Sequence, residues 1–348
     1  MPAADRSLLR LSPRAVGVGS AVITVLVWTG FIVISRATAG RSLAPLDIGL
    51  ARILGASVVL APWGAWLVAQ ARRAGDTQAG SLFGLSPLSL RLSALAGVFG
   101  AVLYAGLAYS GFFFAPAGHA AVLMPGSLPL WTALLAAVVL RDRITPLRAA
   151  GLGLIVAGDL MVGGRSLLQA FGGADAGGAA DVWKGDLLFM SAAFCWACYG
   201  VIVRRHALDA VRATIAITMF ALLTYVPLYA LLVWAGVVHS KLPTAPWGAI
   251  AFQMAFQGIG SVVISGITFT KMIGYFGPVR TTMITALVPG LSALSAVFFL
   301  DEPLHPGLLA GLALVTTGIL LGVQRKAPAA SAAAAAVPAC ATTKGCNA

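Results

Sequence analysis

The chain consists of long apolar segments separated by short stretches that carry most of its charged residues. An apolar segment of about 18 or more residues can cross roughly 30 Å of hydrocarbon as a helix. We predict ten such helices, over residues 16–35, 46–69, 93–113, 117–140, 147–163, 186–204, 213–236, 247–270, 279–300 and 306–323. Membrane-spanning strands would alternate apolar and polar residues, which these segments do not. The pattern predicts an all-α integral membrane protein.

An internal repeat divides the ten predicted helices into two groups of five. From Pro129 onward the chain aligns without gaps with the segment that begins 160 residues later, at Pro289. The matching pairs are Pro129 and Pro289, Asp142 and Glu302, Pro146 and Pro306, Gly151 and Gly311, Gly158 and Gly318, and, in the first helices, Trp28 and Trp196, Arg36 and Arg204. Because five is odd, the second group enters the membrane from the opposite side, which predicts two inverted five-helix repeats.

The repeats define the predicted domains. We assign residues 1–15 to a cytoplasmic N-terminal segment, 16–163 to the first repeat, 164–184 to a linker, 185–324 to the second repeat and 325–348 to a tail. The linker contains a run of Gly, Ala and Asp and is expected to be flexible. The Ala-rich tail has no amphipathic pattern and is predicted to be disordered. The first apolar segment is too long for a signal-peptide core, so we interpret it as an uncleaved helix.

Composition and charge support a membrane protein and indicate its orientation. The chain is 59% hydrophobic and 10% charged, too little charge to cover a soluble domain of this size. Of its 23 Lys and Arg residues, 17 lie on the side of the N-terminus, 5 on the other side, and Arg52 within the second helix. The positive-inside rule then places both termini in the cytoplasm. The net charge of +12 lacks the basic, aromatic-interleaved face of nucleic-acid binders, so no nucleic-acid partner is expected.

No motif for a cofactor, a metal ion or a catalytic nucleophile appears in the sequence. The four histidines do not cluster, and there is no phosphate-binding loop or nucleophile elbow. Cys195 and Cys198 have redox-motif spacing but lie within a predicted membrane helix, where we interpret them as packing residues. Cys340 and Cys346 lie in the tail and do not complete a metal site. We therefore expect no cofactor.

Several motifs resemble those of the drug/metabolite transporter superfamily, specifically the bacterial EamA-domain permeases. They are IGYFGP at residues 273–278, LVP at 287–289, FLDEP at 299–303, the Gly-rich helix from Gly311 to Gly318, LAR at 50–52 and Trp28. The match covers about residues 16–323 and is looser in the first repeat, where Arg141, Asp142 and Arg143 replace the usual Gly-Glu and Pro125 is an additional proline. This resemblance implies an inner-membrane secondary transporter.

The resemblance further implies export of a small organic metabolite, an amino acid-like compound or a drug by alternating access, with protons as the coupling ion. A membrane-embedded enzyme acting on a lipid or isoprenoid substrate is the alternative. Such an enzyme should present a polar catalytic cluster at one membrane face, and a channel should present a filter or a charged ring; neither is found. Besides the lipid bilayer and a small-molecule substrate, no partner is indicated, and the oligomeric state is left open.

Two pairs of residues are predicted to face a central cavity because of their helical positions. Pro129 and Pro289 interrupt backbone hydrogen bonds at matching places in the two repeats, where transporters place their midplane sites; the alternative is a kink that serves packing. Gln253 and Gln257 share one face of the eighth helix with Ser261, Ser265 and Thr268. Amides avoid lipid, so we expect the two glutamines to line a lumen and the hydroxyl groups to pack between helices.

Aromatic and ionisable residues complete the predicted site. Trp28, Tyr104, Trp131, Trp196 and Tyr199 are candidates for an aromatic substrate cavity, with hydrophobic core as the alternative. Arg52, inside the second helix, is expected to face an anionic substrate group, to pair with Asp47, or to extend to the membrane surface. Asp159, in the fifth helix, is the candidate proton carrier, unless it reaches the external surface.

Overall fold

The structure is a computed structural model that describes residues 12–76, 79–171 and 181–323. Ten helices account for most of these residues. They are α1 Pro13–Thr38, α2 Pro45–Arg73, α3 Leu90–Phe114, α4 Ala117–Val139, α5 Pro146–Phe171, α6 Val182–Arg205, α7 Ala210–Trp234, α8 Trp247–Met272, α9 Met283–Leu300 and α10 Pro306–Val323. In this part of the chain nine helices are long and apolar enough to cross a membrane, and α10 is a shorter apolar helix. The predicted all-α membrane fold with ten helices is confirmed.

Local sequence signals begin several of these helices. Ser12 accepts a hydrogen bond from the Ala15 amide at the start of α1, and Asp209 accepts one from Arg212 at the start of α7. Proline occupies the first turn of α1 and α2, where its missing N–H costs no hydrogen bond. Helical turns continue from the end of α8 through residues 273–282 into α9, so the connection between these helices is itself helical. The apolar pattern therefore positions the helices, while polar residues and proline set their ends.

The packing of the helices follows the inverted repeat. The first helix of one repeat packs on the third and fourth helices of the other: α1 on α8 and α9, and α6 on α3 and α4. The two second helices, α2 and α7, pack together, as do the two fifth helices, α5 and α10. Each repeat therefore buries its apolar faces mainly against the other repeat.

Aligned glycines bring α5 and α10 into close contact. A Cβ atom on Gly158 would lie 2.6 Å from the carbonyl oxygen of Gly311, and one on Gly151 would lie 2.6 Å from that of Gly318. Only glycine allows the two backbones to approach this closely. Because Gly151 aligns with Gly311 and Gly158 with Gly318, the two contacts are related by the pseudo-symmetry of the repeat.

Within the described residues, three helices contain a π-helical segment: Val98–Leu103 in α3, Val122–Gly126 in α4 and Met254–Ile264 in α8. Pro125, the additional proline of the first repeat, lies within the second of these segments. Its absent N–H is consistent with a locally changed hydrogen-bond pattern. These three segments face the centre of the bundle, as described below.

Some predicted boundaries differ from the structure or lie outside it. Helix α5 continues to Phe171, eight residues into the predicted linker. Of the predicted linker, residues 172–180 lie outside the described residues, as do residues 1–11 of the N-terminal segment and 324–348, which contain the predicted tail with Cys340 and Cys346. Apolar residues continue from the fifth predicted helix into this region, which explains why its end is poorly marked by hydropathy.

Candidate functional site

A cavity of about 440 Å³ lies in the centre of the bundle, between the two repeats. All three π-helical segments contribute to its wall, through Gly100 and Ala101, Met124 and Pro125, and Ser261 and Val262. π-Helical turns widen a helix locally and are frequent at functional sites. Most of the wall is apolar or aromatic, which is typical of a pocket for a small organic molecule.

Four of the five aromatic residues predicted for the site line this cavity: Trp28, Tyr104, Trp196 and Tyr199. The Trp196 ring lies between Tyr104 and Tyr199, at centroid distances of 4.8 and 5.1 Å. Elsewhere in the wall, Trp28 packs against Phe269, with 5.2 Å between the ring centroids. These rings form two aromatic clusters in the cavity wall.

Arg52 is the only charged residue among the described residues that line the cavity. Its Nη1 donates to Ser261 Oγ at 3.1 Å, and makes longer contacts of 3.4 Å with the Tyr109 hydroxyl and the Gln257 carbonyl oxygen. The guanidinium carbon lies 5.7 Å from the centre of the Phe31 ring and 6.0 Å from that of Tyr104. These contacts hold the charge at the cavity wall.

Close packing of α2 against α8 positions Arg52. A Cβ atom on Gly55 would collide with the backbone of Met254, and one on Gly258 would lie 2.6 Å from the Ala56 nitrogen. With glycine at both positions, the backbones approach closely enough for Arg52 to reach Ser261. The expected alternative, a pair between Arg52 and Asp47, is not found in the described residues. Asp47 instead accepts hydrogen bonds from Tyr229 and from the amides of Ala44 and Lys241.

The cavity extends toward one end of the bundle. Val203 at the end of α6, Ala210 at the start of α7 and Thr270 near the end of α8 belong to its wall. We call this end, at which α1 begins, the open end. The opposite end, at which α1 ends and α4 begins, we call the closed end.

Buried hydrogen bonds join the helices at the closed end. Gln257 donates to Ser35 and accepts from Tyr109, and Gln253 donates to Thr38. Both glutamines are almost fully buried, and neither lines the cavity. The structure therefore places these amides between helices, whereas Ser261 and Ser265 of the same helix, for which we expected a packing role, line the cavity.

An ion pair reinforces the closed end. Arg36 Nε lies 3.1 Å from Glu302 Oε1, and Arg36 Nη1 donates to the carbonyl oxygen of Phe112. The Glu302 carboxylate also accepts hydrogen bonds from the amides of Ala117 and Gly118 at the start of α4. Negative charge is favourable at a helix N-terminus, so Glu302 caps α4 while it binds Arg36.

A second cavity, of about 760 Å³, lies beside this ion pair between α4, α5, α9 and α10. His119 and Ser166 belong to its wall, and both bind the carboxylate of Asp186, His119 through Nδ1 at 2.8 Å. The sequence analysis did not single out this cluster. Asp186 lies near the start of α6, a membrane-spanning helix. A carboxylate within such a helix is the one feature of the sequence that could have identified this residue as a functional candidate.

The remaining predicted site residues lie outside the central cavity wall. Asp159 is buried, and neither of its carboxylate oxygens has a hydrogen-bond partner in the described part of the chain. Trp131 packs against Phe194 at 5.4 Å. Pro129 and Pro289 are adjacent in sequence to the wall residues Leu128 and Val288, and each follows a break in its helix, at Ser127 and Ala286.

The described residues hold no group of three or more His, Cys, Asp or Glu side chains that fits a metal ion. A solved crystal structure shares the fold, with 20% identity and a TM-score of 0.50 over 87% of this chain and 95% of that chain.

Comparison with known proteins identifies the family. An "Uncharacterized transporter YyaM" from Bacillus subtilis (strain 168) is 28% identical over 64% of this chain and 69% of its own length. A "Probable amino-acid metabolite efflux pump" from Escherichia coli (strain K12) is 27% identical over 60% of this chain and 68% of its own length. The model of the EamA-like transporter family matches residues 15–164 and 183–323. The chain belongs to the EamA-like transporter family and is a multi-pass membrane transporter rather than an enzyme.

Proposed function

We propose that this protein is a secondary transporter of the inner membrane that exports a small organic metabolite, an amino acid-like compound or a drug by alternating access. The observation that carries the proposal is the central cavity, which reaches the open end of the bundle while hydrogen bonds and an ion pair seal the closed end. A binding site between inverted repeats that is accessible from one side at a time is the requirement for alternating access.

The orientation follows from charge. The excess of Lys and Arg on the side of the N-terminus supports a cytoplasmic open end under the positive-inside rule. A cavity open to the cytoplasm is the state from which an exporter would load its substrate. The relative from Escherichia coli, named as an efflux pump for amino-acid metabolites, supports the same direction.

Proton coupling is the finer part of the proposal, and Asp159 is its candidate carrier. A buried carboxyl group without hydrogen-bond partners is rare in a membrane helix and marks a functional candidate. Asp159 lies outside the cavity wall, so coupling through it requires movement of α5 against its neighbours rather than contact with the substrate. The two five-helix repeats then serve as the moving units.

Export is tested by metabolite profiling of cells that overproduce the protein. We expect one class of compound to accumulate in the medium, and this accumulation to be lost in a Trp196→Ala variant, which removes a central part of the cavity wall. Trp234→Ala is the matched control, because Trp234 is 84% exposed at the end of α7. If medium and cytosol match those of cells without the protein, at equal membrane expression, export is excluded for those conditions.

A further inference from the structure

We infer that Arg52 binds a carboxylate group of the transported compound, so that the central cavity selects organic anions with an aromatic or apolar body. The inference rests on the proposed transport function and adds the chemical class of the substrate to it. It depends on the hydrogen bonding of Arg52, on the charges around it, and on the aromatic surfaces nearby.

The guanidinium group is only partly used by the protein. All three of its hydrogen bonds come from Nη1, and the two at 3.4 Å are at the long limit for such bonds. No hydrogen bond from Nε or Nη2 to the protein is found in the described residues. Arginine binds a carboxylate through two parallel N–H groups, so the unused donors suffice for this geometry.

The charge of Arg52 has no acidic counterpart within the described chain. The four ion pairs found there all involve other residues. The nearest candidate in sequence, Asp47, uses its carboxylate for Tyr229 and two backbone amides. A charge within the membrane-spanning region is unfavourable unless it is compensated. A bound anion would supply that compensation at the cavity wall.

The rest of the wall fits an aromatic or apolar body. Trp28 and Phe269 form one surface, and Tyr104, Trp196 and Tyr199 form the other. No described residue of the wall carries a carboxylate, so an ammonium group would find no ion-pair partner and would lie close to Arg52. We therefore expect N-acylated amino acids and aryl carboxylates to bind more tightly than free amines.

The test uses the full-length protein in lipid nanodiscs and isothermal titration calorimetry. The probes are N-acetylphenylalanine, an anion, and N-acetylphenylalaninamide, its neutral counterpart. We expect the anion to bind wild type at least about tenfold more tightly, which is the scale of a charge-assisted hydrogen bond. Arg52→Gln should remove this preference. The affinity for the neutral probe should stay within about twofold of that of wild type, because only the charge interaction is lost.

Two further variants separate the contributions. Arg52→Lys keeps the charge without the planar donor pair and should show an intermediate preference. Arg73→Gln is the matched control, because Arg73 is exposed in the last turn of the same helix, away from the cavity. Equal affinity of wild type for both probes overturns the inference without any variant, so a folding defect in Arg52→Gln does not leave it undecided. An equal loss of affinity for both probes in a folded Arg52→Gln protein also overturns the inference.

Counterflow in proteoliposomes distinguishes failure of this inference from failure of the proposed function. Exchange of neutral or cationic compounds, with no binding or exchange of N-acetylphenylalanine, would retain transport and refute the role of Arg52. Binding of the anion that depends on Arg52, with no exchange of any compound class, would support the binding site and refute transport.

Discussion

Arg36 of the first repeat binds Glu302 of the second repeat, with 3.1 Å between Nε and Oε1. The residues that align with them, Arg204 and Asp142, also form an ion pair, with 2.6 Å between Nη1 and Oδ2. Glu302 lies at the start of α4 and accepts hydrogen bonds from backbone amides there, whereas Asp142 follows the end of α4. The two ion pairs therefore lie at opposite ends of the bundle. At each end, the first helix of one repeat is joined to the residues after the fourth helix of the other.

The two ion pairs differ in their exposure. The Arg36 and Glu302 side chains are 31% and 17% exposed, against 59% and 27% for Arg204 and Asp142. Solvent weakens the attraction between exposed charges, so water screens the pair at the closed end less than the pair at the open end. This difference agrees with a state in which only one end of the cavity is sealed.

Arg36→Gln is therefore predicted to loosen the closed end. Loss of about 1 kcal/mol, on the scale of a partly exposed ion pair, would raise the population of forms open at this end about fivefold. The measurement is labelling of a cysteine placed at Ile32, in a background without native cysteines, by a membrane-impermeant maleimide added to intact cells. Arg41→Gln is the control, since Arg41 is exposed at the same end. Identical labelling in both variants would refute a sealing role for Arg36.

Gln257→Leu is predicted to destabilise the protein. The substitution removes the amide to which the buried Ser35 and Tyr109 hydroxyl groups bind, and leaves Tyr109 only its 3.4 Å contact with Arg52, at a cost of about 1–3 kcal/mol. The midpoint of thermal unfolding in detergent should fall for this variant. Gln70→Leu, on the exposed face of α2, should leave the midpoint nearly unchanged. A normal midpoint for Gln257→Leu would indicate that the buried amide contributes little.

Gly158→Leu is predicted to disrupt the contact between α5 and α10. The added side chain has no space beside the Gly311 carbonyl oxygen, and overpacking of this kind costs about 1–3 kcal/mol. Thermal unfolding and the yield of monodisperse protein measure the effect. Gly153→Leu on the same helix is the matched control, because a Cβ atom at Gly153 meets nothing within 4 Å. Equal behaviour of the two variants would contradict the close packing.

Asp159→Asn separates proton coupling from substrate exchange. If Asp159 carries the coupled proton, the variant should retain counterflow in proteoliposomes but lose transport driven by a pH gradient. The amide has nearly the same shape, and neither carboxylate oxygen has a hydrogen-bond partner to lose in the described residues. Asp186→Asn is the comparison, because it disturbs the contacts with His119 and Ser166 instead. Normal gradient-driven transport by Asp159→Asn would exclude Asp159 as the carrier.

The hydrophobic pattern was sufficient to predict the ten helices, because membrane helices require long apolar segments that are easy to recognise. It also named Trp28 and Trp196 for the cavity wall, which the structure places there. Matching positions in inverted repeats lie at matching depths, so the alignment of Trp28 with Trp196 is consistent with their common position at the cavity. The alignment paired Arg36 with Arg204 and Asp142 with Glu302, but it did not predict their ion pairs, because it does not show which residues of the two repeats come into contact.

The positions of Gln253 and Gln257 were not predictable from a helical wheel. A spacing of four residues keeps side chains on one face only when the helix has 3.6 residues per turn. The π-helical segment Met254–Ile264 breaks that rule, so the glutamines face α1 while Ser261 and Ser265 face the cavity. Likewise, His119 and Asp186 are 67 residues apart, and only the folded bundle brings them together.

The three π-helical segments have a consequence for how the cavity can change shape. A π-helical turn accommodates one more residue than an α-helical turn, and moving such a turn along a helix rotates the residues it passes by about 100°. Deletion of one residue within Met254–Ile264 would test this change of register. It should alter which side chains of the segment are accessible from the lumen. Because such a change of register is confined to the middle of a helix, the wall can present a different set of side chains to a new compound while the helices keep their places. The same scaffold can thus acquire a new specificity through a change of helical register, without redesign of its packing.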